Sequence, residues 1–130
     1  MSGTTQTKYR DVLESFSTGF PLLPKVYEVY EQTQAISEDQ ENTLRRSVEM
    51  NLLEIIELVV VAHRQSKEAK VETLRQATIK VDTVKVFVDM ADKTKMIDKK
   101  QADLLRATID NVGKMVGGMR KQLSIQKESN

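Results

Sequence analysis

Chemistry in this chain would have to come from very few side chains. His63 is the single histidine, and no cysteine accompanies it. An imidazole with neither a thiolate nor a second imidazole is a poor start for a zinc site or for general acid–base work. His63 therefore reads as a satisfied or solvent-facing residue at a helix end. Glu49, Glu54 and Glu57 lie close together in one apolar segment, and di-iron bundles collect carboxylates of this kind. Those bundles also carry Glu-x-x-His on two helices, and no such pair occurs here. A carboxylate-bridged metal oxidase is thus not expected, and neither is any other metal centre or cofactor. No G-x-S-x-G, P-loop, dinucleotide-binding or H-E-x-x-H motif is present, so the expectation is a protein that is not an enzyme.

Positive charge is the second candidate chemistry. The net charge is only +1, but residues 1–65 hold 6 Lys+Arg against 10 Asp+Glu, and residues 66–130 hold 14 against 9. The second half is therefore the basic one. Its cations are Lys67, Lys70, Arg75, Lys80 and Lys85, then Lys93, Lys95, Lys99 and Lys100 around a turn, with Arg120 and Lys121 near the end. Phosphate binding is one reading of this set. A solvated mixed face is the other, since Asp82, Asp89 and Asp92 dilute it. Further along, Lys99, Asp103, Arg106, Asp110, Lys114 and Lys121 alternate in sign at helical spacing. This is most economically a solvated face, each pair worth roughly a few tenths of a kcal/mol.

The elements that carry these residues are helices. With 130 residues the chain fits one domain, and two prolines and five glycines are too few turn residues for an all-β fold. The most apolar stretch is NLLEIIELVVVAH, residues 51–63. It is shorter than the roughly 20 apolar residues a bilayer span needs, and it is interrupted by Glu54 and Glu57. Neither Gly nor Pro occurs between Pro24 and Gly113, so the run continues a helical pattern on both sides. The polar start MSGTTQTKYRD lacks an apolar signal core, and a cytoplasmic location is expected.

Residues 1–20 read as a flexible N-terminal arm in which Val12, Leu13 and Phe16 make at most one amphipathic turn. Pro21 and Pro24 punctuate the entry to a first helix, with Leu22, Val26, Val29, Tyr30, Thr33 and Ile36 on one side. Ser37 and Gln40 have capping-box spacing and predict a second helix from about Glu38 to Arg64. Its inward stripe is Leu44, Val48, Leu52, Ile55, Val59 and Ala62. Ser66 predicts the cap of a third helix over 67–93, with Leu74, Ala77, Val81, Val84, Val88 and Ala91 inward. Asp98 and Gln101 open a fourth, carrying Leu105, Ile109, Val112, Val116, Met119 and Leu123, which frays into SIQKESN. The expected fold is all-α, an antiparallel up-down four-helix bundle over residues 21–124 with a tail at 125–130.

Two helices carry more apolar surface than one core needs. Met50, Leu53, Val60 and Val61 form a second stripe on the second helix, and Ile79, Val86, Phe87 and Met90 form one on the third. These residues are expected at an interface between copies in a homo-oligomer. Gly113 and Gly117 sit inside the fourth helix, where each costs roughly 1 kcal/mol relative to Ala. Either the helix frays there, or the two glycines admit a neighbouring helix closely.

The segment QADLLRATIDNVGKMVGGMRKQ, residues 101–122, resembles the last helix of the four-helix-bundle family first described from intervening sequences in bacterial 23S ribosomal RNA genes. That helix ends in a glycine, a basic residue, two apolar residues and a small pair, matched by Gly113, Lys114, Met115, Val116, Gly117 and Gly118. LLEIIELVVVAH is similar to the family's second helix and ETLRQATIKVDTVKVFVDMA to its third, so the likeness spans about residues 21–123. Within the family, the chain looks most like the accessory variability determinants of diversity-generating retroelements. That resemblance implies a ring-shaped homopentamer of bundles with basic surfaces. Its implied partners are RNA or DNA and the retroelement's reverse transcriptase, in support of mutagenic copying of a template RNA into cDNA. The alternative within the same family is a structural oligomeric bundle with no nucleic-acid role.

Overall fold

The computed structural model describes residues 22–37 and 43–129, and among these every regular element is a helix. They are α1 (Leu22–Thr33), α2 (Thr43–His63), α3 (Lys67–Lys93) and α4 (Lys99–Ser129). The expected arm at 1–20, Pro21, the capping partner Gln40 and the expected helix start at Glu38 lie outside the described residues.

Each helix packs on two others: α1 on α2 and α4, and α3 on α2 and α4. Ion pairs and hydrogen bonds fix the direction of the α3–α4 pair. Thr78 meets Arg120, Lys85 meets Asp110 and Asp92 meets Arg106, so one helix descends as the other rises. On the other side, Gln34, just past the end of α1, meets Arg45 and Glu49 near the start of α2, so this pair is antiparallel too, and a groove lined by residues of both runs between them. The result is an up-down four-helix bundle.

The inward stripes form the core. Leu22, Val26, Val29, Val48, Leu52, Ile55, Val59, Leu74, Ala77, Val81, Val84, Val88, Leu105, Ile109, Val112 and Val116 are all nearly or fully buried. Leu44, Met115 and Met119 pack against them from the edge of the core. Removing one such side chain, for example Leu105→Ala, would cost about 2–5 kcal/mol. The buried polar residues are threonines with partners inside the chain: Thr33 Oγ1 donates to the Tyr30 carbonyl at 2.6 Å, and Thr73 Oγ1 to Gln65 Oε1 at 2.6 Å.

The ends of α3 show how local chemistry sets the boundaries. The Ser66 side chain accepts the Ala69 N–H at 3.4 Å and caps the first turn. At the other end the Met96 N–H reaches back to the Ala91 carbonyl at 2.9 Å and the Lys95 N–H to that of Asp92 at 3.1 Å. This is the Schellman pattern, and it places Lys95 at φ 60°, the left-handed position where glycine is usual. Ser37 N–H donates to the Met96 carbonyl at 2.7 Å, tying the α1–α2 connection to this turn. Arg45 Nη2 donates to the Gln34 carbonyl at 2.9 Å, satisfying an acceptor just past α1.

Two details differ from what the sequence predicts. Tyr30 is exposed, because the core side of α1 is narrower than the six-residue stripe assigned to it. The fourth helix does not stop at its glycines or fray after Leu123: α4 runs to Ser129, since no Gly or Pro follows Gly118 to end it.

Candidate functional site

The cations expected to bind phosphate do not form one face. Those from the middle of α3 are engaged by carboxylates on three helices. Arg75 Nη2 lies 2.7 Å from Glu72, Lys80 Nζ 2.5 Å from Glu54 of α2, and Lys85 Nζ 2.8 Å from Asp110 of α4. The Arg75 guanidinium holds the Glu72 carboxyl below its ordinary range, chiefly by hydrogen bonding. These three residues therefore present little free positive charge.

Most of the remaining cations gather at the two ends of the bundle. At the turn between α3 and α4 stand Lys93, Lys95, Lys99 and Lys100, of which Lys99 lies 3.6 Å from Asp92 and 3.9 Å from Asp103. At the opposite end stand Lys67 and Lys70 at the start of α3, whereas Arg120 and Lys121 of α4 lie beside the middle of α3. Arg120 Nη1 reaches Thr78 Oγ1 at 3.5 Å. Lys67, Lys70, Lys93, Lys95, Lys100 and Lys121 have no ion pair among the described residues, and the same holds for Arg64 at the end of α2. Along the 27 residues of α3, the two clusters are about 40 Å apart.

Arg106, by its spacing one member of a solvated mixed-charge face, is instead a hub between helices. Its guanidinium donates to Asp89 at 2.9 Å, to Asp92 at 2.6 Å and to Asp103 at 2.9 Å, using all three of its nitrogens. Hydrogen bonding to Asp92 and then Asp89 raises the Arg106 pKa above its usual value. The same bond lowers that of Asp92, with Lys99 adding a Coulombic share. Spacing along one helix indicates Asp103 and Asp110, three and four residues away, but not Asp89 and Asp92 of α3.

The second apolar stripes are mostly bare. Leu53 is 63% exposed and Val86 56%, and Met50, Val60, Val61, Ile79 and Met90 are exposed with them. Phe87 departs from this group: it is half-buried and packs against the core, because its position adjoins the inward Val84 and Val88. Leu104 on α4, at 57%, and Val71 on α3 are exposed apolar residues that the stripe pattern missed, each standing next to an inward position or between the two stripes. Next to Leu53, a groove of about 420 Å³ runs between α1 and α2, lined by Leu23, Val26, Tyr27, Tyr30, Leu52 and Ile56 among others.

Of the two glycines, Gly113 faces α3. A Cβ there would meet Val81 Cγ1 at 3.4 Å, whereas at Gly117 it would meet nothing within 4 Å. Among the described residues, close packing therefore belongs to Gly113 and not to Gly117. Glu49, Glu54 and Glu57 diverge: Glu49 accepts from Gln34 Nε2 at 3.3 Å, Glu54 pairs with Lys80, and Glu57 is exposed. Among the described residues, no group of three His, Cys, Asp or Glu is placed to hold a metal ion, and no helix is long and apolar enough to cross a membrane. No family model matches the chain, and no curated protein or solved structure matches it.

Proposed function

We propose that this protein is a non-enzymatic accessory factor of a diversity-generating retroelement. It acts in the cytoplasm as a ring-shaped homo-oligomer, a pentamer by family resemblance, and binds the element's reverse transcriptase and template RNA, or the DNA copy, to support mutagenic cDNA synthesis. Support comes from the resemblance carried by Gly113 to Gly118 and from the division of the surface. Two different apolar patches, one on α2 and one on α3, suit a head-to-tail association of the kind that closes rings.

The observation that carries the reading is the sorting of charge. Cations in the middle of α3 are neutralised, while Arg64, Lys67 and Lys70 at one end of the bundle, and Lys121 further along α4, have no carboxylate partner among the described residues. Backbone phosphates are the ligands such a cluster attracts, through release of condensed counterions. The test is titration of RNA with the full chain at several salt concentrations, together with co-purification of the polymerase. Lys67→Gln, Lys70→Gln and Lys121→Gln together should weaken RNA binding and flatten its salt dependence by roughly one in slope for each phosphate released. If the intact chain neither binds RNA at low ionic strength nor retains the polymerase, the reading is wrong.

One observation favours a structural oligomeric bundle without a nucleic-acid role. Arg75, Lys80, Lys85 and Lys99, four of the cations assigned to binding, are engaged in ion pairs. Full cellular function of the triple Gln variant would select that reading.

A further inference from the structure

The turn that joins α3 to α4 is fixed at three points. The Met96 N–H donates to the Ala91 carbonyl at 2.9 Å, the Ser37 N–H to the Met96 carbonyl at 2.7 Å, and the Ala102 N–H to the Asp98 carbonyl at 2.9 Å. Between this turn and the residues that follow α1 lies a pocket of about 620 Å³. That volume is within the roughly 300–1,000 Å³ usual for small-molecule sites, and a frame bonded in this way is formed before any ligand arrives.

The groups that line the pocket are of unlike kinds. Lys95 and Lys99 bring positive charge, and Lys95 has no ion pair among the described residues. Asp92 lines it too, but Arg106 at 2.6 Å and Lys99 at 3.6 Å already hold that carboxylate. Asp98 is different: it is exposed, and its carboxylate has neither a hydrogen bond nor an ion pair among the described residues. Ser37 adds a hydroxyl, while Ala35 and the half-buried Met96 give an apolar surface. Lys95 also stands at φ 60°, where glycine would fit without strain, and strained residues cluster where ligands are clamped.

We propose that this pocket binds a nucleotide, with its phosphate on Lys95, Lys99 and the Ser37 hydroxyl, a ribose hydroxyl donating to Asp98, and the base against Ala35 and Met96. Each part of the lining excludes a simpler ligand. A bare phosphate would suit the lysines but face the Asp98 carboxylate without a donor to offer it. A nucleoside without phosphate would leave both ammonium groups unused, and a sugar phosphate would leave the apolar surface uncovered. The nucleotide is either free or the 5′-terminal unit of a strand, since both present the same phosphate, ribose and base. Lys67 and Lys70 lie at the other end of the bundle, so occupation of this pocket does not rest on RNA binding there.

The test follows the backbone amide resonances of the full chain during titration with adenosine 5′-monophosphate. Ser37 and the amides from Lys95 to Gln101 should shift to saturation, and adenosine or inorganic phosphate should bind at least about tenfold more weakly. Lys95→Gly should weaken binding by about tenfold while the denaturation midpoint rises, so the loss is not one of folding. Lys99→Gln should act in the same direction, and the Lys67→Gln, Lys70→Gln, Lys121→Gln variant should bind the nucleotide unchanged. A 5′-phosphorylated hexanucleotide compared with its 5′-hydroxyl twin assigns the source: shifts of these amides by the phosphorylated strand alone would identify the strand terminus. Inorganic phosphate binding as tightly as the nucleotide would overturn the proposal. So would binding that Lys95→Gly leaves intact, or the absence of these shifts with both the free nucleotide and the phosphorylated strand.

Discussion

Arg106 of α4 donates to Asp92 of α3 at 2.6 Å, and that bond is the centre of a cluster in which one guanidinium holds three carboxylates. Its consequence for stability has a definite sign. Asp92 has its pKa lowered in the folded chain, so its contribution is present above the ordinary carboxylate value of about 3.9 and is lost as pH falls through the lowered folded value. Arg106→Gln removes the main partner of Asp92 and leaves Lys99 as its remaining cation, so the Asp92 carboxyl is held down less. The variant should be less stable than the parent at neutral pH, and the gap should close as pH is taken below about 4. Thermal unfolding followed across that range checks it, and a gap independent of pH would show that Arg106 acts through packing alone.

Lys95 occupies a left-handed backbone position at φ 60°. A side chain with a Cβ costs about 1 kcal/mol there, and glycine costs none. Lys95→Gly should therefore stabilise the bundle by about 1 kcal/mol despite removing a charge. Chemical denaturation should show a higher midpoint with an unchanged slope. A lower midpoint would mean that the Lys95 side chain makes an interaction worth more than the backbone strain.

The helical glycines make an ordered series. Gly117→Ala and Gly118→Ala add a Cβ into open space and should each stabilise α4 by about 1 kcal/mol. Gly113→Ala places its Cβ 3.4 Å from Val81 Cγ1, so crowding against α3 offsets part of the same gain. Denaturation midpoints should rank Gly117→Ala above Gly113→Ala. If Gly117→Ala instead disrupts an assembly while leaving helicity intact, that glycine packs against another copy.

How far the sequence reaches depends on whether a signal is local. The stripes over Val48 to Ala62, Leu74 to Ala91 and Leu105 to Val116 are periodic within one helix, and each is legible as a core face. The Ser66 cap is legible for the same reason. Pairings such as Lys80 with Glu54 and Lys85 with Asp110 are not, because they depend on which sides of two helices meet. Nothing in the spacing along one helix encodes that. The basic set consequently looks continuous in sequence, and folding divides it into a neutralised middle and two charged ends. Phe87 and Tyr30 mark the same limit: both sit at stripe edges, where a small rotation of the helix decides between core and solvent.

The exposed stripes yield the sharpest prediction about assembly. Leu53 and Val86 are more than half exposed, and neither contributes to the core that holds the four helices together. A charge at either position costs little in an isolated bundle, but it is expensive against an apolar partner surface. Leu53→Glu or Val86→Glu should therefore dissociate any homo-oligomer into helical monomers, read by light scattering together with circular dichroism. Val48→Glu is the internal control, since it buries a carboxylate at a site with no measurable exposure and should unfold the chain. Were Leu53→Glu to abolish helicity as Val48→Glu does, the α2 stripe would be needed for the monomer fold itself. Were it to leave the assembly intact, the interface between copies would lie elsewhere, with Leu104 the next exposed apolar residue to substitute.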